Sequence, residues 1–197
     1  MLRMERGNIR FIPGQCVLLG IPGKGQHREY SIYSAADDPW LEVLVREIPE
    51  GSVSRRLRRC QPGERLEIEG PIGYFTLPES VKTGKSLVFV ATGTGIAPFH
   101  CMVGSIPNLD YTLIHGVRTA EEAYERHAYA ANRYILCTSR DDSGNFRGRV
   151  THYLEAHAVS TEAAYYLCGN SSMIDEAYDI LVKKGVPADN LHAEVYF

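Results

Sequence analysis

The sequence predicts two joined architectures: an antiparallel β-barrel or sandwich over residues 1–83, and a parallel, doubly wound α/β domain over residues 84–197. Two observations carry this. Up to residue 82, short β-rich runs are punctuated by Pro13-Gly14, Pro22-Gly23, Pro62-Gly63 and Gly70-Pro71, as strands joined by tight turns would be. Beyond Gly84, five strands alternate with helical stretches, the pattern of a parallel, doubly wound sheet. The period changes across residues 82–85, so the two domains are expected to meet there.

In the first half, residues 16–19, 40–45 and 65–69 read as strands because they are apolar, β-branched or alternating. Residues 53–60 are the one helical stretch. In the second half, residues 87–91 form a continuous apolar strand that runs into glycines and a helix from about Ala97. Residues 111–115 precede a helix that Thr119 would cap, with Glu122 completing a capping box. Residues 134–137 precede a helix near 150–157. Residues 164–168 precede another at about 172–184, stopped by Gly185 and Pro187. Residues 191–197 supply the last strand.

Composition narrows the function. The 197 residues hold 21 Lys plus Arg against 24 Asp plus Glu, a net charge of −3, which argues against a dedicated nucleic-acid binder. No apolar run approaches the roughly 18 residues of a membrane span, and the first residues show no secretory h-region or cleavage signature. The five cysteines are odd in number and widely spaced, with no C-x-x-C, so they read as reduced thiols of a cytoplasmic protein. The seven histidines show no metal-ligand spacing, and no metal site is expected.

Thr92-Gly93-Thr94-Gly95-Ile96-Ala97-Pro98 lies between a strand and a helix. Glycines there let a pyrophosphate approach the backbone, and the helix start offers free amides. The same segment also fits an ordinary tight strand–helix turn. Arg28-Glu29-Tyr30-Ser31 and Gly51-Ser52-Val53-Ser54 are weak signals singly; the second is also a serviceable helix cap.

The order of the motifs is more specific than any one of them. Phe11-Ile12-Pro13-Gly14-Gln15, Arg28-x-Tyr30-Ser31, Gly51-x-x-Ser54, Gly70-Pro71-Ile72-Gly73-Tyr74-Phe75, Thr92 to Pro98, Cys168-Gly169-Asn170 and the ending Glu194-Val195-Tyr196-Phe197 follow one another along nearly the whole chain. In this order they resemble the ferredoxin–NADP(+) reductase-like flavoproteins. The resemblance implies a Greek-key FAD-binding barrel over residues 1–83 and an NADP(H)-binding domain over residues 84–197. It departs in one place: the Phe11 motif arrives so early that roughly one barrel strand is expected to be absent, which would expose sheet edges.

The resemblance also implies roles. Arg28 would pair with the flavin pyrophosphate, Tyr30 would lie on one face of the isoalloxazine, and Ser31 would hydrogen-bond near its N5. The turn at Gly51 and the amides of Ser52, Val53 and Ser54 would hold phosphate oxygens. Tyr196 would cover the other flavin face, with Phe197 one residue extra. Cys168, with Glu194 and Ser31 close by, would line the nicotinamide pocket; a buried structural cysteine is the alternative. Thr92, Gly93, Thr94 and Gly95 would take the coenzyme pyrophosphate.

A 2′-phosphate needs cations, and Arg118, Ser139, Arg140 and Arg149 follow strand ends on one side of the sheet, which favours NADP(H). Arg140 could instead pair with Asp141 or Asp142, and Arg118 could be a solvated loop residue. Arg55, Arg56, Arg58 and Arg59 crowd one helix, either as a solvated face or as a patch that steers an acidic carrier. The expected activity is electron transfer from NADPH through FAD to ferredoxin or flavodoxin. The alternatives are an NAD(P)H:flavin reductase, and the reductase component of an oxygenase or larger redox complex.

Overall fold

The computed structural model describes residues 1–79 and 84–196. The expected domain junction at residue 83, and Phe197, lie outside the described residues. By its packing the chain divides into two units: residues 1–76 with 97–107, and residues 77–96 with 108–197.

The first unit is built from antiparallel strands. β1 (Leu2–Glu5) pairs with β4 (Trp40–Val43). β2 (Cys16–Gly20) is the centre of a three-stranded sheet between β3 (His27–Ser31) and β5 (Glu67–Ile72). An isolated bridge between Ile32 and Val43 links the two sheets. A strand, β1, therefore does precede the Phe11 motif, and five strands are formed before residue 77 among the described residues. Val17, Leu19, Ile32, Leu41 and Val43 are fully buried and form one core with Val53 and Leu57 of α1 (Ser52–Arg58) and Cys101 of α2 (Ala97–Ser105). His100 of α2 stacks on Tyr33 with 3.7 Å between ring centroids.

The second unit is a six-stranded, wholly parallel sheet of order β11-β10-β6-β7-β8-β9. Its members are β6 (Leu87–Thr92), β7 (Tyr111–Val117), β8 (Tyr134–Thr138), β9 (Phe146–Arg147), β10 (Ala164–Asn170) and β11 (Leu191–Tyr196). β10 and β6 carry continuous apolar runs because both faces are covered. α3 (Val150–Ala156) and α4 (Ser171–Lys183) pack on the sheet through Val150, Leu154, Ile174, Ala177 and Leu181. Asn170 caps α4 by accepting from the Met173 amide, and Gly185, at φ +90°, ends it.

Two details differ from expectation. The short strand β9 carries too little periodicity to be read from sequence. The helix expected after Thr119 is absent: residues 120–122 and 126–128 form only 3-10 turns, and Thr119 makes no capping bond. The Glu122 carboxylate instead takes the Arg118 amide and pairs with the Arg118 guanidinium, while the Ala120 amide goes to the Ser143 hydroxyl. A stronger charged partner one residue upstream has displaced the capping box. No helix of the described residues is long and apolar enough to cross a membrane.

Candidate functional site

In a doubly wound sheet, ligands bind beyond the strand C-termini where the strand order reverses. Here β6 lies between β10 and β7, so the reversal falls between the ends of β6 and β10. The Thr92–Gly95 and Cys168–Asn170 motifs meet there. Residues 93–96 form a 3-10 turn that opens directly into α2. Gly93 is exposed at φ +55°, and a Cβ there would meet nothing within 4 Å, so the backbone faces open space. Gly95 is the opposite case. A Cβ on it would overlap the Cys168 carbonyl, so only glycine lets the turn lie against β10. Gly169, at φ +135°, is packed the same way against Thr92, whose hydroxyl accepts from the Asn170 amide at 3.2 Å. An exposed glycine backbone at this strand end fits a pyrophosphate.

Cys168 is fully buried, and its thiol points to the Glu194 carboxylate at 4.0 Å. Burial first, and the Glu194 charge second, push its pKa well above the ordinary thiol value, so it stays a protonated thiol. It is therefore no nucleophile. Tyr196 is half-buried at the end of β11, in register with Asn170.

Farther along the sheet edge, the β7 and β8 ends are joined: the Arg140 amide donates to the Arg118 carbonyl at 2.9 Å, and the Ser139 amide to the Val117 carbonyl at 3.1 Å. The guanidiniums are not equivalent. Arg118 is ion-paired with Glu122. Arg140 takes neither acidic neighbour, because Asp141 accepts from Ser143 and Asp142 pairs with Arg147. Arg140 and Arg149, both exposed, have no ion-pair partner among the described residues. Two free cations at a strand end fit a dianionic group.

In the first unit, Arg28 is exposed on β3 and, among the described residues, bonds only the neighbouring His27 carbonyl, leaving its charge available. Tyr30 is half-buried, with its phenol pKa raised by burial against the lowering effect of Arg28. Ser31 is buried at the strand's end. Gly51 precedes α1 at extended dihedrals and gives no side-chain cap. The first-turn amides of Ser52, Val53 and Ser54 have no intrahelical acceptors. The Ser54 hydroxyl faces backward, accepting from the Ile48 amide at 3.1 Å, and the Ser52 hydroxyl donates to Gln26 at 2.7 Å. This surface suits a flavin pyrophosphate. Arg55 and Arg58 both pair with Glu47, and Arg56 with Glu64, so the basic helix is partly neutralised.

The residue absent from the sequence reading is His115, buried on β7 and bonded to the Gly93 carbonyl. Its signal was a lone polar side chain in the apolar run Leu113-Ile114-His115.

The antiparallel unit carries an arginine and a helix start suited to a flavin pyrophosphate, and the parallel unit carries a glycine turn at its switch point, as in FAD- and NAD-binding oxidoreductases. The chain belongs to the ferredoxin–NADP(+) reductase-like family. Residues 1–77 match the family model for the oxidoreductase FAD-binding domain, and residues 89–179 that for the oxidoreductase NAD-binding domain. It is 32% identical to the toluate 1,2-dioxygenase electron transfer component of Pseudomonas putida, over 95% of this chain and 59% of that protein. The Amycolatopsis cytochrome P450 reductase GcoB superposes with a TM-score of 0.83 at 28% identity, covering 95% of this chain and 61% of that one. A ferredoxin NADP+ reductase from Neisseria gonorrhoeae, solved with bound FAD and NADP, superposes with a TM-score of 0.78 at 28% identity, over 95% and 88%. The chain thus spans about three fifths of the length of the oxygenase-linked relatives.

Proposed function

We propose that this chain is an FAD-dependent NAD(P)H oxidoreductase that passes electrons from NADPH to a one-electron protein carrier. Residues 1–83 would hold FAD and residues 84–197 the coenzyme. The observation that carries the reading is the pairing, at the switch point, of an open glycine turn with a buried thiol–carboxylate pair. When bound, the flavin supplies the redox chemistry, accepting a hydride and releasing electrons singly.

The chain's own residues do the rest. Arg28 and the amides of Ser52, Val53 and Ser54 would hold the flavin phosphates; as the family resemblance implies, Tyr30 and Tyr196 would each cover a ring face and Ser31 would hydrogen-bond near N5. Tyr196 would have to swing aside for a nicotinamide to come within the about 3–3.5 Å that hydride transfer needs. Cys168, kept protonated by burial, lines that pocket without obstructing it, and Glu194 fixes its S–H. Thr92, Gly93, Thr94 and Gly95 bind the coenzyme pyrophosphate. Arg140 and Arg149, assisted by Ser139 and Arg118, bind the 2′-phosphate, which favours NADPH over NADH.

Ferredoxin or flavodoxin is the expected carrier. A second reading, the reductase component of an oxygenase, is supported by the toluate dioxygenase and P450 relatives. Five free cysteines support a cytoplasmic setting.

The test is FAD titration by fluorescence quenching, followed by anaerobic reduction with NADPH and NADH in turn and mixing with ferredoxin, flavodoxin or free flavin. Saturable FAD binding, faster bleaching by NADPH and carrier reduction are expected. Absence of saturable FAD binding would remove the assignment, and release of reduced free flavin would make it a flavin reductase.

A further inference from the structure

We infer that His115 is the positioning residue of the coenzyme turn: by holding the Gly93 carbonyl from behind, it aims the Thr94 amide, on the far side of the same planar peptide, outward at the pyrophosphate. This rests on the reading of that turn as the coenzyme phosphate site.

His115 sits on β7 in register with Ala91 of β6, one residue short of the Thr92–Gly116 pair, and is 1% exposed. Both ring nitrogens are engaged. Nε2 lies 3.0 Å from the Gly93 carbonyl, and Nδ1 lies 2.7 Å from the Tyr134 hydroxyl. A carbonyl only accepts, so Nε2 carries the hydrogen. Burial pushes the imidazole pKa down to about 4, so the ring is neutral and Nδ1 must accept from Tyr134. Burial also raises the Tyr134 pKa, keeping that phenol a donor. Tyr134 is in turn fixed by stacking on Tyr129, with centroids 5.2 Å apart and planes 18° from parallel.

The result is a directed chain, Tyr134 O–H to His115 Nδ1 and His115 Nε2–H to the Gly93 carbonyl. Only one tautomer and one ring orientation satisfy it. Its end point is the one residue of the turn that is exposed at positive φ with open space beside it. A glycine in that position has the most backbone freedom to lose on binding. A buried donor on its carbonyl removes part of that freedom beforehand, which lowers the ordering cost of capturing an anion.

The experiment separates the pyrophosphate from the rest of the coenzyme. In the FAD-loaded protein, calorimetric affinities are measured for ADP-ribose, which carries a pyrophosphate, and for 2′-AMP, which does not. His115→Leu is expected to weaken ADP-ribose roughly 3- to 10-fold, the effect of one net hydrogen bond, and to leave 2′-AMP unchanged. His115→Gln, whose amide can still donate to Gly93, is expected to restore ADP-ribose to within about twofold. The NADPH KM should follow the ADP-ribose ratio while the limiting rate of flavin reduction holds.

Equal losses for both fragments, or no rescue by Gln, would mean a merely structural role and overturn the inference. So would unchanged ADP-ribose affinity in the Leu variant. If His115→Leu does not fold, Tyr134→Phe decides: about twofold weaker ADP-ribose with unchanged 2′-AMP is expected, and no change overturns the inference. A wild-type protein that binds neither fragment nor NAD(P)H would instead fail the functional reading itself.

Discussion

The turn at Gly93 and the helix start at Gly51, the two proposed phosphate sites, are held in opposite ways. The Gly51 turn is secured at the surface, by the Ser54 hydroxyl on the Ile48 amide and by the Ser52 hydroxyl on Gln26. Those partners lie 6 and 26 residues away and are open to solvent on at least one side. The Gly93 turn is secured from the interior, by His115 beneath its carbonyl and by the close approach of Gly95 to the Cys168 carbonyl. A parallel sheet buries its strand ends on both faces, so its loop supports are buried too. The Gly51 turn, in the connection from β4 to α1, keeps its supports near water. The first arrangement yields when a partner side chain rotates; the second yields only when the core does.

Acid should break the comparison most strongly. His115 is neutral in the folded protein with a pKa near 4, against about 6.5 in the unfolded chain. Between those values the unfolded state binds more protons. The stability that His115 contributes is therefore complete above pH 6.5 and is lost as pH falls towards 4, by about 3 kcal/mol. Urea unfolding at pH 7 and pH 4.5 should show this loss in the wild type and much less of it in His115→Gln. Hydrogen exchange should place the opening at residues 93–116 rather than at residues 48–56.

Paired glycine substitutions sharpen the same contrast. An alanine at Gly95 puts its Cβ into a backbone carbonyl that has no rotamer to escape by, so Gly95→Ala should cost about 1–3 kcal/mol and weaken NADPH binding. At Gly51 the nearest atom to the new Cβ is the Ser54 hydroxyl, 2.6 Å away, which can turn aside. Gly51→Ala should therefore cost less, with the effect confined to FAD affinity. Thermal melts with and without each ligand check both; equal losses would contradict the inside-versus-surface distinction.

The smallest effects are expected among the arginines. Arg140 has no ion-pair partner among the described residues, so Arg140→Ala should raise the NADPH KM about tenfold, the effect of one charged hydrogen bond, and leave the NADH KM nearly unchanged. Arg118 is already committed to Glu122, and Arg118→Ala should change the NADPH KM about twofold or less. Both effects should shrink at high salt. Equal effects of the two substitutions on both coenzymes would remove the case for NADPH.

Much of this molecule is legible in one dimension. The strand runs of β6, β7, β8, β10 and β11, the Pro-Gly turns of the first half, and the stop of α4 are local patterns that the fold keeps. The serial order of Arg28-x-Tyr30-Ser31, Gly51-x-x-Ser54, Thr92 to Pro98 and Cys168-Gly169-Asn170 was enough to identify the family. These signals survive because strand burial, positive φ and helix ends each demand particular residues near in sequence.

What only the tertiary structure decided are the choices among competing partners. Thr119 and Glu122 spell a capping box, but Arg118 outbids it with a charge. Arg140 stands beside two aspartates, yet Ser143 and Arg147 occupy them. His115 reads as an isolated polar residue in a buried strand until β7 is laid beside β6 and its Nε2 falls under Gly93. Hydrogen bonds and ion pairs are short-ranged and saturable, so which donor meets which acceptor depends on positions that only the folded chain brings within about 3 Å.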